Sequence, residues 1–221
     1  MPESLAEANV IPRKDARAAT FKTLIQGSAV QFSMFWGEVF VTTNRVQVAA
    51  TEAPYVRVSD FVLKALNELS GNHIVRAFGI NMESHFDLGS SSSRDSLGMR
   101  IAPTGPWGSW GRTIQSSMSE GPSTHGGMMR LQMRQKFEDK SVAGWLDVTI
   151  SPSTRIPNES GVEFRSNHHH QPASADDEES AVKTPTKFEN PLALLEVMAG
   201  RFDESIAMSE RIFLDVLGME P

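Results

Sequence analysis

Residues 129–137 read MRLQMRQKF, the clearest alternating pattern in the sequence. Met129, Leu131, Met133 and Phe137 alternate with polar or basic residues. A period of two is the pattern of a β-strand with one face on a core and the other in water. Strands of this kind belong to antiparallel sheets, because parallel strands are covered on both faces and read as continuous apolar runs.

The same type of pattern recurs elsewhere in the chain. Residues 38–42 and 45–50 are rich in β-branched side chains and flank Thr43-Asn44, which predicts a hairpin. Gly79 is a candidate bulge inside one long alternating segment. The other predicted strands are residues 29–36, 74–88, 146–150 and 162–166. Residues 18–25 fit either a helical turn or a strand.

Two segments have the period of an amphipathic helix. Ser59 is a candidate N-cap for a helix that ends near Ser70-Gly71. Asn190-Pro191 starts a second helix that runs to Gly218, about 27 residues and roughly 40 Å long if it is unbroken. Gly200 is a place where it could kink.

These elements predict an α+β fold, with one antiparallel sheet of five to seven strands and two main helices packed on one face. Residues 1–17 are predicted to be a flexible arm, and residues 18–221 a single domain. Its parts are a hairpin–helix–strand half (18–88), a long irregular loop between the halves (89–127), a three-strand segment (128–170), an acidic linker (171–187) and the C-terminal helix (188–218).

Composition narrows the class of protein. The 221 residues are 39% hydrophobic and 22% charged, an ordinary globular mixture, and contain no cysteine. Disulfides, thiol nucleophiles and cysteine-ligated metal centres are therefore excluded. We expect a cytoplasmic protein without a membrane span, because no apolar run approaches the roughly 20 residues needed and the acidic first residues are unlike a signal peptide.

The net charge of −6 is unevenly distributed. Residues 171–221 contain eleven acidic and four basic side chains, so the rest of the chain is close to neutral. A nucleic-acid-binding protein normally shows a basic excess on one domain or face. We therefore do not expect nucleic acid as a partner.

The first candidate site is the run His168-His169-His170. His168 and His170 lie on the same side of a strand and are candidate metal ligands. A metal-assisted hydrolase would add Asp147 or Glu163 as a third ligand, but strand parity places these acids on the opposite face. The alternative is a strand end that enters the acidic linker.

The second candidate is the row Glu83, His85 and Asp87, three ionisable groups on one face of one strand, which suits acid–base or metal chemistry. A third is the basic row Arg130, Arg134 and Lys136, which suits an anion. The competing interpretation is that acidic and basic rows on neighbouring strands pair with one another on a solvent-facing sheet.

The fourth candidate is an interaction site at Trp107 and Trp110, in the segment PWGSWG. Rings this large are buried either on the protein's own core or in a partner. Phe202 and Phe213 lie on the wide apolar face of the last helix, where packing on the sheet and self-association are the alternatives.

No phosphate-binding glycine loop, dinucleotide motif or serine-nucleophile motif is present in the sequence. We therefore favour a non-catalytic binding or assembly protein without a cofactor, whose partner is another protein or a second copy. A metal-assisted hydrolase and a carrier of a small apolar ligand are the alternatives. Whether the protein is an enzyme therefore stays open, and we favour a protein without catalytic activity.

Overall fold

The structure, a computed structural model, describes residues 2–25, 29–69, 75–119, 127–138, 142–173 and 191–219. Within these residues the chain forms two antiparallel sheets of four strands each and six α-helices. It divides into two compact units. Unit 1 contains residues 1–76 and 188–203, and unit 2 contains residues 77–187 and 204–221. The predicted α+β class and antiparallel pairing are confirmed.

The sheet of unit 1 is a meander of four strands in the order β1-β2-β3-β4. The strands are β1 Thr20–Ile25, β2 Ala29–Met34, β3 Gly37–Thr42 and β4 Val46–Ala49. The predicted hairpin is confirmed, because β3 and β4 pair with Val41 opposite Val46. The backbone N–H of Thr42 donates to the carbonyl of Arg45 and closes the turn.

Three of the described helices lie wholly in unit 1: α1 Pro2–Glu7, α2 Arg13–Ala18 and α3 Val56–Leu69. The first two replace the predicted flexible arm. Leu5 is 1% exposed, and Val10 and Ile11 are buried with it. These few apolar residues join Phe32 and Phe61 in one core cluster. The composition of residues 1–17 is polar overall and therefore did not indicate these buried contacts. A short helix needs only a few apolar residues to be stabilised by packing.

The sheet of unit 2 has the strand order β5-β8-β7-β6. The strands are β5 Phe78–Asp87, β6 Leu131–Glu138, β7 Val142–Pro152 and β8 Gly161–Pro172. Directly opposite residues of an antiparallel pair project to the same side. Ile150 lies opposite Phe164, and both are buried in the core of unit 2. We call this side the inner face and the other side the outer face.

The segment between β5 and β6 differs from the predicted irregular loop. It contains α4 Ser91–Ile101, a 3-10 turn over Gly105–Trp107 and α5 Gly108–Ser119. Ser90 caps α4 by accepting a hydrogen bond from the backbone N–H of Ser93 at 3.1 Å. Gly89 precedes α4, Pro103 lies between α4 and the 3-10 turn, and Gly108, with a φ of 61°, begins α5. The many glycines and prolines of this segment predict a loop, but several of them instead mark the ends of helices.

The last helix, α6, spans Pro191–Leu217, and its 27 residues confirm the predicted length. Its residues up to Asp203 belong to unit 1 and those from Glu204 to unit 2. In unit 2 the Phe213 ring packs on Phe164, with ring centroids 4.9 Å apart. The acidic linker lies outside the described residues from residue 174 onwards.

Two sheets replace the single predicted sheet of five to seven strands. Each sheet has a separate core cluster, one with Phe32 and Val39 and the other with Val162 and Phe164. Alternation shows which face of a strand is buried, but it does not show which strands pair.

Candidate functional site

The outer face of unit 2 carries most of the candidate residues. Because β5, β8, β7 and β6 are in register, four polar rows lie side by side. The rows are Asn81, Glu83, His85 and Asp87 on β5; Glu163, Arg165, Asn167 and His169 on β8; Trp145, Asp147, Thr149 and Ser151 on β7; and Gln132, Arg134 and Lys136 on β6.

His85 lies between two carboxylates on this face. Its Nε2 is 3.0 Å from Oε1 of Glu83 and 3.7 Å from Oε1 of Glu163. The register places Glu163 directly opposite His85, whereas Glu83 precedes it by two residues on the same strand. One ligand-type atom from each of the three residues falls within 4.8 Å of the other two. These distances would suit a metal ion. Whether the three groups can bind one depends on which His85 nitrogen carries a proton and on which cations already pair with the carboxylates.

The contacts of Ser153 select the tautomer of the neutral His85 ring. The Nδ1 atom of His85 lies 2.8 Å from the Ser153 hydroxyl oxygen. That oxygen also accepts the backbone N–H groups of Arg155 and Ile156, at 3.1 and 3.3 Å. Since a hydroxyl has two lone pairs and one proton, the proton is the group left for Nδ1. The neutral ring therefore carries its own proton on Nε2 and donates it to Glu83.

Two arginines complete the cluster. Arg155 Nη2 lies 2.6 Å from Oε1 of Glu83, and Arg165 Nε lies 3.2 Å from Oε2. Arg165 Nη2 is also 2.7 Å from Oε1 of Glu163, whose Oε2 accepts from Ser151 at 3.1 Å. The hydrogen bond from His85 is the first cause that lowers the pKa of Glu83, and the two guanidinium groups lower it further.

This cluster is therefore an ion-pair network. Its two carboxylates are matched by two guanidinium charges, and each carboxylate oxygen already has a donor. In the tautomer that the Ser153 contact favours, Nε2 carries the proton and offers no lone pair to a metal. The geometry supports the interpretation of paired rows, and we propose no metal at this position.

Asp87 does not join Glu83 and His85. Its Oδ1 accepts the hydroxyl of Ser160 at 2.6 Å and the backbone N–H of Gly89 at 2.9 Å. The Ser160 hydrogen bond is the first cause that lowers the pKa of Asp87. Asp87 thus holds the turn that leads to α4, and the predicted three-residue row is divided.

The basic row is also divided. Arg134 forms a bidentate pair with Asp147, with both N–O distances at 2.6 Å, and this pair lowers the pKa of Asp147. Its guanidinium carbon lies 4.7 Å from the centre of the Trp145 ring. The Trp145 ring also stacks on His169, with centroids 4.0 Å apart. Arg130 donates to Gln132. Since Arg134 is already paired, the three basic residues do not form one anion site.

His168 lies on the inner face and is 5% exposed. Its Nε2 is 3.0 Å from the hydroxyl oxygen of Ser209 on α6, which is also 2.7 Å from the hydroxyl oxygen of Ser166. Ser209 donates its own proton to the carbonyl of Ser205 at 2.8 Å. The Ser209 oxygen therefore accepts from both His168 and Ser166. Burial lowers the pKa of His168 despite the nearby Glu204.

A serine beside a histidine is the arrangement of a nucleophilic hydrolase. Here Ser209 is 0% exposed, and its proton is donated to a backbone carbonyl. A substrate cannot reach the oxygen, so the group fastens α6 to β8 within unit 2. His170 is also buried, between Phe78 and Phe137, with ring centroids 4.6 and 5.1 Å away.

Asp147 and Glu163 lie on the outer face, as strand parity predicts. Their strand positions alternate with those of His168 and His170 on the inner face. The structure therefore does not bring this histidine pair and these acids together.

The two tryptophans of the PWGSWG segment are exposed together. Trp107 is 62% exposed and Trp110 59%, and their rings meet edge to face with centroids 5.4 Å apart. We call them the tryptophan pair. Gly111 is buried behind them, and a Cβ there would overlap with the carbonyl oxygen of Thr104. The helix backbone therefore lies directly on Thr104, which fixes the position from which both rings project.

Phe202 and Phe213, the other predicted contact residues, are buried at 7% and 1% exposure. They are interior residues of this chain and are not offered to a partner. Sequence reasoning did not identify the residues that close the polar clusters: Ser153, Arg155, Arg165, Ser166 and Ser209. They are brought to the clusters by the β5–β8 pairing, by the β7–β8 connection and by the packing of α6 on β8, none of which appears in the pattern of a single strand.

No protein-family model, no curated protein and no solved structure matches this chain. Among the described residues, no helix combines the length and apolar character that crossing a bilayer requires.

Proposed function

We propose that this chain is a non-catalytic binding subunit that inserts the tryptophan pair into an apolar pocket of a partner protein. The observation that carries the proposal is the joint exposure of Trp107 and Trp110. Large apolar rings side by side in water are unfavourable for a free protein and typical of an interaction site. Tryptophan is also among the residues most enriched at the energetic centres of protein interfaces.

The surroundings of the pair favour a protein over a membrane. Arg112 is the single charged residue in positions 105–119, and the polar residues around it are mainly serine, threonine and glutamine. Helices that lie on membrane surfaces usually carry several lysines or arginines on the polar face. One exposed arginine beside two tryptophans is instead the composition of an interface centre.

The polar clusters of unit 2 support a role without catalysis. His85 and its carboxylates form an ion-pair network with Arg155 and Arg165. His168 is held in a sealed hydrogen-bond network with Ser209. The absence of cysteine from the sequence favours a reducing compartment, and we include the cytoplasm in the proposal on that basis.

The proposal is tested with the double variant Trp107→Ser with Trp110→Ser. Phe35→Ser is the matched control, because Phe35 is an equally exposed aromatic side chain, 69% exposed, in unit 1. Proteins that co-purify with each full-length form are quantified by mass spectrometry, and the enriched partner is then purified and titrated. Circular dichroism establishes that all three forms are folded.

We expect the double variant to weaken binding of that partner by more than about thirtyfold, since a central tryptophan contributes about 2 kcal/mol or more. The control is expected to bind as the wild type does. Equal binding by the double variant, or equal loss in Phe35→Ser, would refute the proposal. Sedimentation of the purified chain shows whether a second copy occupies the site instead, which would also overturn it.

A further inference from the structure

A second surface of unit 2, the free edge of β6, is unlike the rest of the sheet. Within the described residues β6 pairs with β7 and with no other strand. Every residue from Gln132 to Lys136 is exposed. Backbone groups on the far side of such a strand are available to an added strand.

The inner face is also uncovered at this edge. Met133 lies opposite Val148, which packs against the core of unit 2. Met133 is nevertheless 67% exposed, and Met129 just before the strand is 71% exposed. The apolar surface of the sheet therefore continues past Val148 into solvent.

The charge at this edge is basic, although the whole chain has a net charge of −6. Arg130, Arg134 and Lys136 carry three positive charges along it, and Met129 and Met133 alternate with them. The opposing charges among the described residues are Glu138 on the same strand and Asp147, which already pairs with Arg134, so Lys136 is the free cation within β6 on which an added strand depends. An added strand places its side chains opposite those of β6, face by face. It would need acidic residues on the outer face and apolar residues on the inner face.

Two registers of β6 with a second copy of itself do not meet this requirement. Antiparallel pairing of β6 with itself places Arg134 opposite its own copy when the symmetry axis passes through Arg134. Moving the axis by one residue to Gln135 places Arg134 opposite Lys136. Like charges in directly opposed positions destabilise a strand pair.

We propose that the free edge of β6 binds an extended segment of a partner protein in which acidic and apolar residues alternate. The segment adds a fifth strand to the sheet of unit 2, with an acid facing Lys136 and its apolar residues covering Met133. Main-chain hydrogen bonds supply affinity in this mode, and the alternating side chains supply selectivity. This surface shares no residue with the tryptophan pair, so it is a second binding function.

The test uses the full chain and a fluorescent synthetic peptide of about ten residues that alternates glutamate and valine, long enough to span β6. Lys136→Glu removes a favourable charge and adds a like charge. Lys64→Glu, an exposed lysine on α3, makes the same change in net charge as a control. A peptide that alternates lysine and valine, and a glutamate peptide with N-methylated backbone amides, complete the set.

We expect the glutamate peptide to bind the wild type and Lys64→Glu equally, and to bind Lys136→Glu about tenfold more weakly. The lysine peptide should prefer Lys136→Glu, and N-methylation should abolish binding because it removes the strand hydrogen bonds. No binding to the wild type, equal binding to Lys136→Glu, or binding of the N-methylated peptide would overturn the inference.

The double tryptophan variant separates the two proposals. If it binds the glutamate peptide as the wild type does, the peptide site is independent of the tryptophan pair, as inferred. If it loses the peptide, the peptide uses the tryptophan pair and the inference about β6 is wrong, while the proposed function stands.

Discussion

At the scale of single residues, Ser153 and Ser209 each lie beside a histidine but send their protons to different atoms. Ser153 accepts two backbone N–H groups and gives its proton to Nδ1 of His85. Ser209 gives its proton to a backbone carbonyl and accepts from His168. The first histidine therefore directs its Nε2 proton at a carboxylate, whereas the second is held in a buried network without a carboxylate bond.

The buried state of His168 predicts a pH dependence of stability. Its pKa in the folded protein is below the ordinary 6.5, so the unfolded chain binds the proton more readily. This contribution to the free energy of unfolding is present above pH 6.5 and is lost as the pH falls below that value. We expect His168→Gln, which keeps an N–H donor, to flatten the dependence. Urea unfolding over a pH series measures it.

His169 serves as the control, because burial also lowers its pKa, although it lies on the outer face. His169→Gln should leave unchanged the pH dependence of the free energy of unfolding that arises from His168. If His168→Gln has the same pH profile as the wild type, the assignment to His168 is incorrect.

Ser209→Ala should destabilise unit 2. The substitution removes the shared acceptor of His168 and Ser166 and leaves buried donors without a partner, which costs about 1–3 kcal/mol each. Ser96→Ala is the matched control, because Ser96 donates to a carbonyl four residues earlier at 2.8 Å, as Ser209 does, but is exposed. Chemical denaturation gives both values. A cost for Ser209→Ala no greater than that of the control would contradict the role of the network.

At the scale of elements, the contact between α5 and Thr104 depends on a glycine within the helix. Gly111 lies against the Thr104 carbonyl, whereas a Cβ added at Gly200 on α6 would meet no atom within 4 Å. The same Gly→Ala change should therefore have opposite effects at the two sites.

Gly111→Ala forces α5 away from Thr104, and overlap of this kind typically costs about 1–3 kcal/mol. We expect a lower melting temperature and a changed tryptophan emission, since Trp107 and Trp110 move with the helix. Gly200→Ala should raise the free energy of unfolding by up to about 1 kcal/mol through helix propensity. Thermal melts and fluorescence spectra of both variants provide the measurement, and equal shifts in the same direction would contradict the packing at Gly111.

Some of these elements can be predicted from the sequence and others cannot. Helix α6 and the β3–β4 hairpin follow from local signals, namely an N-cap with proline and two β-rich runs around a turn. The sequence predicts a loop over residues 89–127 in place of α4 and α5, because frequent glycine and proline are typical of a loop. Alternation correctly placed His168 and Glu163 on opposite faces. It could not show that β5 pairs with β8, and this pairing selects Glu163 and Arg165 as the neighbours of His85 and Glu83.

At the scale of the whole molecule, the chain forms two hydrophobic cores, and each contains a fully buried phenylalanine. Phe32 in unit 1 and Phe164 in unit 2 are each 0% exposed and belong to separate clusters. A phenylalanine-to-alanine change in a packed core costs about 3–5 kcal/mol, because the lost transfer energy is added to that of the cavity. Where two cores are separate, the loss should be felt first in the elements that line the affected core.

Hydrogen exchange of the full chain with Phe32→Ala or Phe164→Ala tests this division. Phe32→Ala should accelerate exchange in β1–β4, and Phe164→Ala in β5–β8. Hydrogen exchange along α6 distinguishes the two units best, because its residues up to Asp203 belong to unit 1 and those from Glu204 to unit 2. We expect each variant to loosen a different half of this one helix. Uniform acceleration over all eight strands by either variant would show that the two cores unfold as a single cooperative unit.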